Sequence, residues 1–178
     1  MKNSAKTALG GMISALSLTI MLLTAVIPYL TYALPAIAGA MLVLMVIEIN
    51  KKWAFCAYAA ISILSFLILP DKEAAMMYVA FFGYYPVLKP FLESKIFNNK
   101  LCWFVKAVIF NIAVVIAYLV IVNVFGIPIE EMEKGVFAVI GLLALGNVMF
   151  VLYDICITRL VTLYLNKWQK RFRKLFKH

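Results

Sequence analysis

Charge is scarce in this sequence, since only 14% of its residues are Asp, Glu, Lys or Arg, against about 25% in soluble domains. It has one histidine, His178, so it cannot build a histidine-based site. Its three cysteines, Cys56, Cys102 and Cys156, lie far apart and form no CxxC pair, which favours small apolar side chains over metal or redox chemistry. The HExxH, GxSxG and phosphate-loop motifs are absent. We therefore expect neither an enzyme nor a bound cofactor or metal ion.

Apolar residues are abundant, at 66% of the chain. They come in continuous blocks, many close to the roughly 20 residues that a helix needs to cross about 30 Å of hydrocarbon. The blocks lack the period-two alternation of a membrane β-barrel, and a helix satisfies its own backbone in lipid. The sequence predicts an all-α, polytopic membrane protein, a bundle of six transmembrane helices joined by short loops. The predicted spans are 6–27, 32–49, 53–69, 74–93, 101–125 and 136–165.

The first apolar block is open to another interpretation, as a secretory signal. Lys2 and Lys6 precede it, and Ala36-Ile37-Ala38 resembles a cleavage site. The block runs from Thr7 to Ile27, which is longer than the 7–15 residues of a usual signal core. We interpret it as a retained helix.

Basic residues are placed unevenly along the predicted bundle. The face that would hold Lys72 and Lys134 has no other basic residue. The opposite face would carry Lys2, Lys6, Lys51, Lys52, Lys95, Lys100, Lys167, Lys170, Arg171, Arg173, Lys174 and Lys177. The positive-inside rule then predicts a protein of the cell membrane with both termini in the cytoplasm.

Residues 166–178 form a basic, amphipathic tail after a membrane domain of residues 1–165. Trp168, Phe172, Leu175 and Phe176 follow helical spacing between the cations. Such a stripe favours the lipid bilayer over nucleic acid as the partner.

The string FFGYYPVLKPFLESK, residues 81–95, places two prolines and a lysine inside the fourth predicted span. Pro86 and Pro90 each remove a backbone donor and crowd the carbonyl four residues earlier. We expect this helix to kink or break, with freed carbonyls that need partners. Gly83 would let a neighbouring helix come close at that level.

Three charged residues should share one depth near the cytoplasmic side. At 1.5 Å per residue, Lys89, Lys106 and Asp154 lie at similar distances from the ends of their helices. Asp154 points away from Arg159, five positions on, and so needs another partner. We predict an inner polar cluster of Lys89, Lys106 and Asp154. It is either a coupling surface or a set of interfacial anchors with one salt bridge.

The side away from the basic residues is acidic and aromatic. Its acidic residues include Glu130, Glu131 and Glu133. Amides within a membrane must be hydrogen-bonded and often mark a polar cavity, whereas aromatic residues also form ordinary interfacial belts. We predict an outward pocket for a small, ring-bearing, neutral or cationic solute. Its candidate residues are Tyr29, Tyr32, Asp71, Glu73, Tyr78, Asn123 and Asn147.

The first span carries small residues at four-residue spacing, at Thr7, Gly11, Ala15 and Thr19. Such a stripe allows close approach of another helix, either within the bundle or from a second protein. With its length, six spans and basic tail, the chain resembles the substrate-binding S component of energy-coupling factor transporters. Gly11 and Ala15 match the small-residue motif of that family, although glycine, threonine and serine stand here where the family favours alanine.

The resemblance implies capture of a small solute, such as a vitamin, from the outer side. It also implies docking, through Gly11 and Ala15, on a membrane coupling subunit that two cytoplasmic ATPases drive. The alternative is a structural or scaffolding membrane protein, similar in size and span number to the rod-shape-determining membrane protein MreD, with no role in transport.

Overall fold

The computed structural model describes residues 3–124 and 136–169, and every regular element in these ranges is helical. The α-helices described are α1 (Asn3–Leu22), α2 (Ala33–Glu48), α3 (Lys51–Ile68), α4 (Lys72–Met77), α5 (Tyr85–Lys95), α6 (Asn99–Val124) and α7 (Val136–Leu163). Two short 3-10 helices, Leu23–Ala25 and Pro28–Leu30, join α1 to α2. Two π-helices cover Tyr78–Phe82 and Tyr164–Trp168. The predicted all-α class is confirmed for these ranges.

Four of the described helices are long and apolar enough to cross a membrane: Asn3–Ala25, Lys51–Ile68, Asn99–Ala117 and Leu143–Lys167. Helix α2 is also apolar but has only 16 residues. The fourth predicted span is divided into α4, a π-helix and α5. The described helices are therefore compatible with a multi-pass membrane protein, whereas six crossings stay a prediction.

Polar side chains set the beginnings of two helices. Asn50 precedes α3, and its side chain accepts a hydrogen bond from the backbone N–H of Lys52 at 2.9 Å. Asp71 precedes α4 and accepts from the N–H of Ala74 at 3.0 Å. These side chains satisfy backbone donors that the first helical turn leaves unpaired. The short connections predicted around positions 50 and 71 are turns stabilised by these caps.

Helix α2 lies between two packed clusters of side chains. On one side, Leu42 and Met45 join the buried residues of α1, α3 and α4. On the other side, Val43 joins an aromatic cluster from the π-helix, α5, α6 and α7. The members of that aromatic cluster are Phe81, Phe82, Tyr85, Phe110, Phe150 and Tyr153. Because α2 faces both clusters, it is the central element that fixes the broken helix against the rest of the bundle.

Several predicted features lie outside the described residues. They are the acidic residues Glu130, Glu131 and Glu133, together with the tail beyond Gln169. The backbone of Asn123 belongs to α6, but its side chain is likewise outside the description.

Candidate functional site

The break in the fourth predicted span lies just before Pro86. The N–H of Gly83 bonds to the carbonyl of Tyr78, five residues earlier, at 2.8 Å. Pro86 stands in the first turn of α5, where its missing N–H is tolerated. The carbonyl of Phe82, four residues before Pro86, instead accepts a hydrogen bond from the Tyr153 hydroxyl at 3.1 Å. A side chain of α7 thus satisfies the backbone group that the proline leaves free, as expected for a broken helix in lipid.

A buried charged cluster lies directly after this break, and Asp154 of α7 is its centre. The Nζ atom of Lys89 lies 2.5 Å from Asp154 Oδ1 and 2.8 Å from the Asp154 backbone oxygen. Lys89 also donates to the Thr158 hydroxyl at 2.6 Å. The Tyr85 hydroxyl donates to the same Asp154 oxygen. Helix α5 is therefore tied to α7 by two side chains one helical turn apart.

Helix α6 joins the cluster through Lys106. Its Nζ atom lies 3.4 Å from Asp154 Oδ1 and 2.6 Å from Glu93 Oε1. Glu93 is also 3.8 Å from Lys89. The side chains of Lys89, Lys106 and Asp154 are buried, whereas that of Glu93 is 48% exposed. The structure thus brings the three residues of the predicted inner polar cluster into contact, and adds Glu93 as their link to the surface.

The charges of this cluster balance. Two ammonium groups face two carboxylates, and a buried charge is tolerated only when it is paired and hydrogen-bonded. Within residues 3–124 and 136–169, no group of three or more His, Cys, Asp or Glu side chains could hold a metal ion. Here the paired charges join α5, α6 and α7.

Comparison with protein-family models, with curated proteins and with solved structures finds no match to this chain. A fold alone would not assign a function, since unrelated functions share one fold. The functional conclusion therefore depends on the residues themselves.

The residues predicted to line an outward pocket are found in different environments. Tyr29 is 96% exposed, and Tyr32 is also exposed. Asp71 accepts a hydrogen bond from the Thr31 hydroxyl at 2.9 Å, which brings the segment before α2 against the beginning of α4. Glu73 lies in the first turn of α4, where an acidic side chain is favoured by the helix dipole. These four residues belong to one end of the bundle.

Tyr78, another predicted pocket residue, lies in the core. It is fully buried, and its ring centre is 6.1 Å from that of Tyr58 in α3. A Cβ atom at Gly83 would come within 2.7 Å of the Tyr78 ring. The ring of Tyr78 therefore packs where Gly83 leaves room for it. The neighbouring helix that comes close to Gly83 is α3, because the same Cβ atom would lie 2.6 Å from the Tyr58 ring.

Asn147, the remaining pocket candidate, is paired with an amide of the neighbouring helix. Its Nδ2 atom donates to Asn111 Oδ1, and Asn111 Nδ2 donates to Asn147 Oδ1, both at 3.0 Å. Each amide also donates to the carbonyl four residues earlier in its own helix. The pair links α6 to α7 and leaves few donors for a ligand.

Replacing Asn147 by Leu should lower the stability of the solubilised protein by about 1 kcal/mol, because hydrogen bonds between membrane helices average about 0.6 kcal/mol and reach about 1.7 kcal/mol. Asn111→Leu should have a similar effect. The double variant should lose less than the sum, since neither amide is then left unpaired. A double-mutant cycle on the melting temperature measures this; additive losses would contradict a direct pair.

Gly11 and Ala15, the predicted docking residues, lie on the exposed face of α1. A Cβ atom at Gly11 would meet nothing within 4 Å, whereas one at Gly10 would lie 3.3 Å from Met45 Cε. The buried face of α1 carries Ile13 and Ser17. The stripe therefore lies away from the packing of the described bundle.

Sequence reasoning missed Tyr85, Asn111, Tyr153 and Thr158. A signal existed for three of them. Tyr85 stands four residues before Lys89, and Thr158 stands four residues after Asp154. Residues at that spacing share one face of a helix. Asn111 lies in the middle of an apolar helix, where an amide needs a partner. Tyr153 had no such signal, since a tyrosine within an apolar helix is ordinary.

Proposed function

We propose that this chain is the membrane-embedded, solute-capturing subunit of an importer of the energy-coupling factor type. In this proposal it crosses the cell membrane six times, with both termini in the cytoplasm. It binds a small solute, such as a vitamin, from the outer side. It then docks on a membrane coupling subunit that cytoplasmic ATPases drive.

The free face of α1 is the observation that carries the proposal. Thr7, Gly11, Ala15 and Thr19 are all exposed, although the other face of the helix packs against α2 and α3. Small side chains give little contact with lipid, but they allow the backbones of two helices to approach closely. A second membrane protein that packs along α1 explains why small residues occupy this exposed face.

Docking can be tested by purifying the full chain from its native membranes in a mild detergent. We expect a membrane subunit and two ATPases to co-purify. Replacing both Gly11 and Ala15 by Leu should lower their recovery roughly tenfold or more, since overpacking costs about 1–3 kcal/mol and 1.4 kcal/mol is tenfold in affinity.

Gly141→Leu is the matched control, because a Cβ atom at this exposed position of α7 also meets nothing within 4 Å. It should leave recovery unchanged. Equal recovery with the Gly11 and Ala15 variant would contradict docking through α1. Native mass spectrometry of the same sample would detect a retained solute, which tests the capture role separately.

A scaffolding membrane protein, similar to MreD, is the second candidate. Its support is the position of Tyr78, which is fully buried in the core rather than directed to a solute. Asn147 is likewise engaged by Asn111. This candidate predicts that neither ATPases nor a small molecule accompanies the purified chain.

A further inference from the structure

Two lysines from different helices meet one aromatic ring where α3 begins and α5 ends. The Nζ atom of Lys95 lies 4.8 Å from the centre of the Phe91 ring, and that of Lys51 lies 5.8 Å from it. Both distances fall within the range of about 6 Å for a cation–π contact. Because both distances end at the same point, the two Nζ atoms are no more than about 10.6 Å apart. Two separate helices thus bring their positive charge to one place.

Neither Lys51 nor Lys95 forms an ion pair within the part of the chain that the structure describes. The ion pairs found there all involve Lys89 or Lys106. Glu93, two residues from Phe91, is 2.6 Å from the buried Lys106. Lys51 and Lys95 are themselves exposed. An anion at this place would therefore find two available ammonium groups.

The surroundings of the two lysines are apolar on the outer surface of the bundle. Phe91 is 43% exposed, and Phe55, one turn into α3, is 56% exposed. Helix α3 is among those long and apolar enough to cross a membrane. Positive charge at the end of a membrane helix, beside exposed aromatic rings, fits the boundary between headgroups and acyl chains. The site thus combines charge for an anion with an apolar surface for a chain.

We propose that Lys51, Lys95 and Phe91 form a binding site for the headgroup of an anionic phospholipid. The lipid phosphate lies between the two ammonium groups, and an acyl chain follows the exposed faces of Phe91 and Phe55. A free phosphate ion would gain nothing from the aromatic rings, which is why a lipid is the better ligand. The site is independent of the proposed function, because an importer subunit and a scaffold both lie in lipid.

The test is native mass spectrometry of the full chain in a neutral detergent, titrated with phosphatidylglycerol or phosphatidylcholine. We expect one phosphatidylglycerol to bind preferentially. Replacing both Lys51 and Lys95 by Gln should weaken that binding roughly tenfold or more, since each lysine near an anionic lipid surface contributes about a fivefold gain. The matched control replaces Lys52 and Lys100, which are also exposed, by Gln. It should change binding less than twofold.

Three results would overturn the proposal. One is an equal loss in both double variants, which would mean unspecific attraction to positive charge. Another is equal binding of phosphatidylcholine to the unmodified chain. The third is displacement of phosphatidylglycerol by excess inorganic phosphate, which would make the site an anion site without lipid specificity. Melting temperatures in neutral detergent should be the same for both double variants, so that unfolding cannot mimic the loss.

Discussion

Replacing Asp154 by Asn is expected to lower the stability of the purified protein by about 3 kcal/mol or more. The carboxylate is the shared acceptor for Tyr85, Lys89 and Lys106. Without that charge, the carboxylate left to pair with the buried Lys89 is that of Glu93, whose Oε1 atom lies 3.8 Å from Lys89 Nζ. Breaking a buried ion pair in this way typically costs about 3–5 kcal/mol. In a chain of this size, that loss corresponds to a melting temperature lower by roughly 10 °C.

Thermal unfolding in detergent, followed by size-exclusion chromatography, measures the effect. Glu93→Gln is the control, because Glu93 is 48% exposed and exposed ion pairs contribute only about 0–1 kcal/mol. A second variant, Lys89→Met with Asp154→Leu, removes both members of the buried pair. It should recover most of the lost stability, because position 89 then carries no charge and Lys106 still pairs with Glu93. A melting temperature for Asp154→Asn within about 2 °C of the unmodified protein would contradict a stabilising, buried Lys89–Asp154 ion pair.

The contacts of Asp154 with Lys89 and Tyr85 help to explain why a broken helix can be stable in this bundle. A discontinuous helix loses backbone hydrogen bonds, and the two ends of the break must be held by neighbours. Tyr153 holds the free carbonyl of Phe82, while Lys89 and Tyr85 hold α5 to Asp154. These contacts join the π-helix and α5 to α7, while α2 packs against the same segment from its other side.

Helix geometry and the need of a buried charge for a partner made the contacts of the cluster predictable. A constant rise per residue gives the depth of each charge, and a charge in an apolar helix must find a partner at its own depth. Lys89, Lys106 and Asp154 follow from these two rules. Glu93 joins them because it shares a helix face with Lys89, four residues earlier.

The details of the break and of the pocket could not be predicted in the same way. Pro86 indicates that a helix is interrupted, but a π-helix before it depends on packing against α2 and α3. Tyr78 is assigned to a pocket by its residue type, whereas its burial depends on the space beside Gly83. Side-chain direction on an irregular helix is a property of the tertiary structure. For that reason, neither feature has a signal in the pattern of residues.

Gly39→Ala should destabilise the protein by about 3 kcal/mol, although only one methyl group is added. A Cβ atom at Gly39 would lie 2.7 Å from the carbonyl carbon of Phe82, closer still to its oxygen, and 2.9 Å from the Tyr153 hydroxyl. Overpacking usually costs about 1–3 kcal/mol, and more where the neighbour cannot move. Here the neighbour is backbone of the π-helix, so α2 must withdraw from the centre of the bundle. Melting in detergent should fall by roughly 10 °C.

Two other glycines provide a graded control within α1. Gly11→Ala meets no atom and should be neutral or stabilising by up to about 1 kcal/mol, because alanine favours a helix over glycine. Gly10→Ala meets only the flexible end of Met45, at 3.3 Å, and should have a small effect. Equal melting temperatures for the Gly39 and Gly11 variants would contradict the close approach of α2.

A further variant separates the clash from the hydrogen bond beside it. Tyr153→Phe removes the hydroxyl that contacts the carbonyls of Phe82 and Ala36, which should cost about 1–3 kcal/mol by leaving the Phe82 carbonyl unpaired. The methyl group of Gly39→Ala would displace the same hydroxyl, so the two losses should not add. In a Tyr153→Phe background, Gly39→Ala should cost at least about 0.5 kcal/mol less than alone, because residues that share a contact are coupled. Additive losses would mean that the close approach at Gly39 and the Tyr153 hydrogen bonds stabilise the broken helix independently.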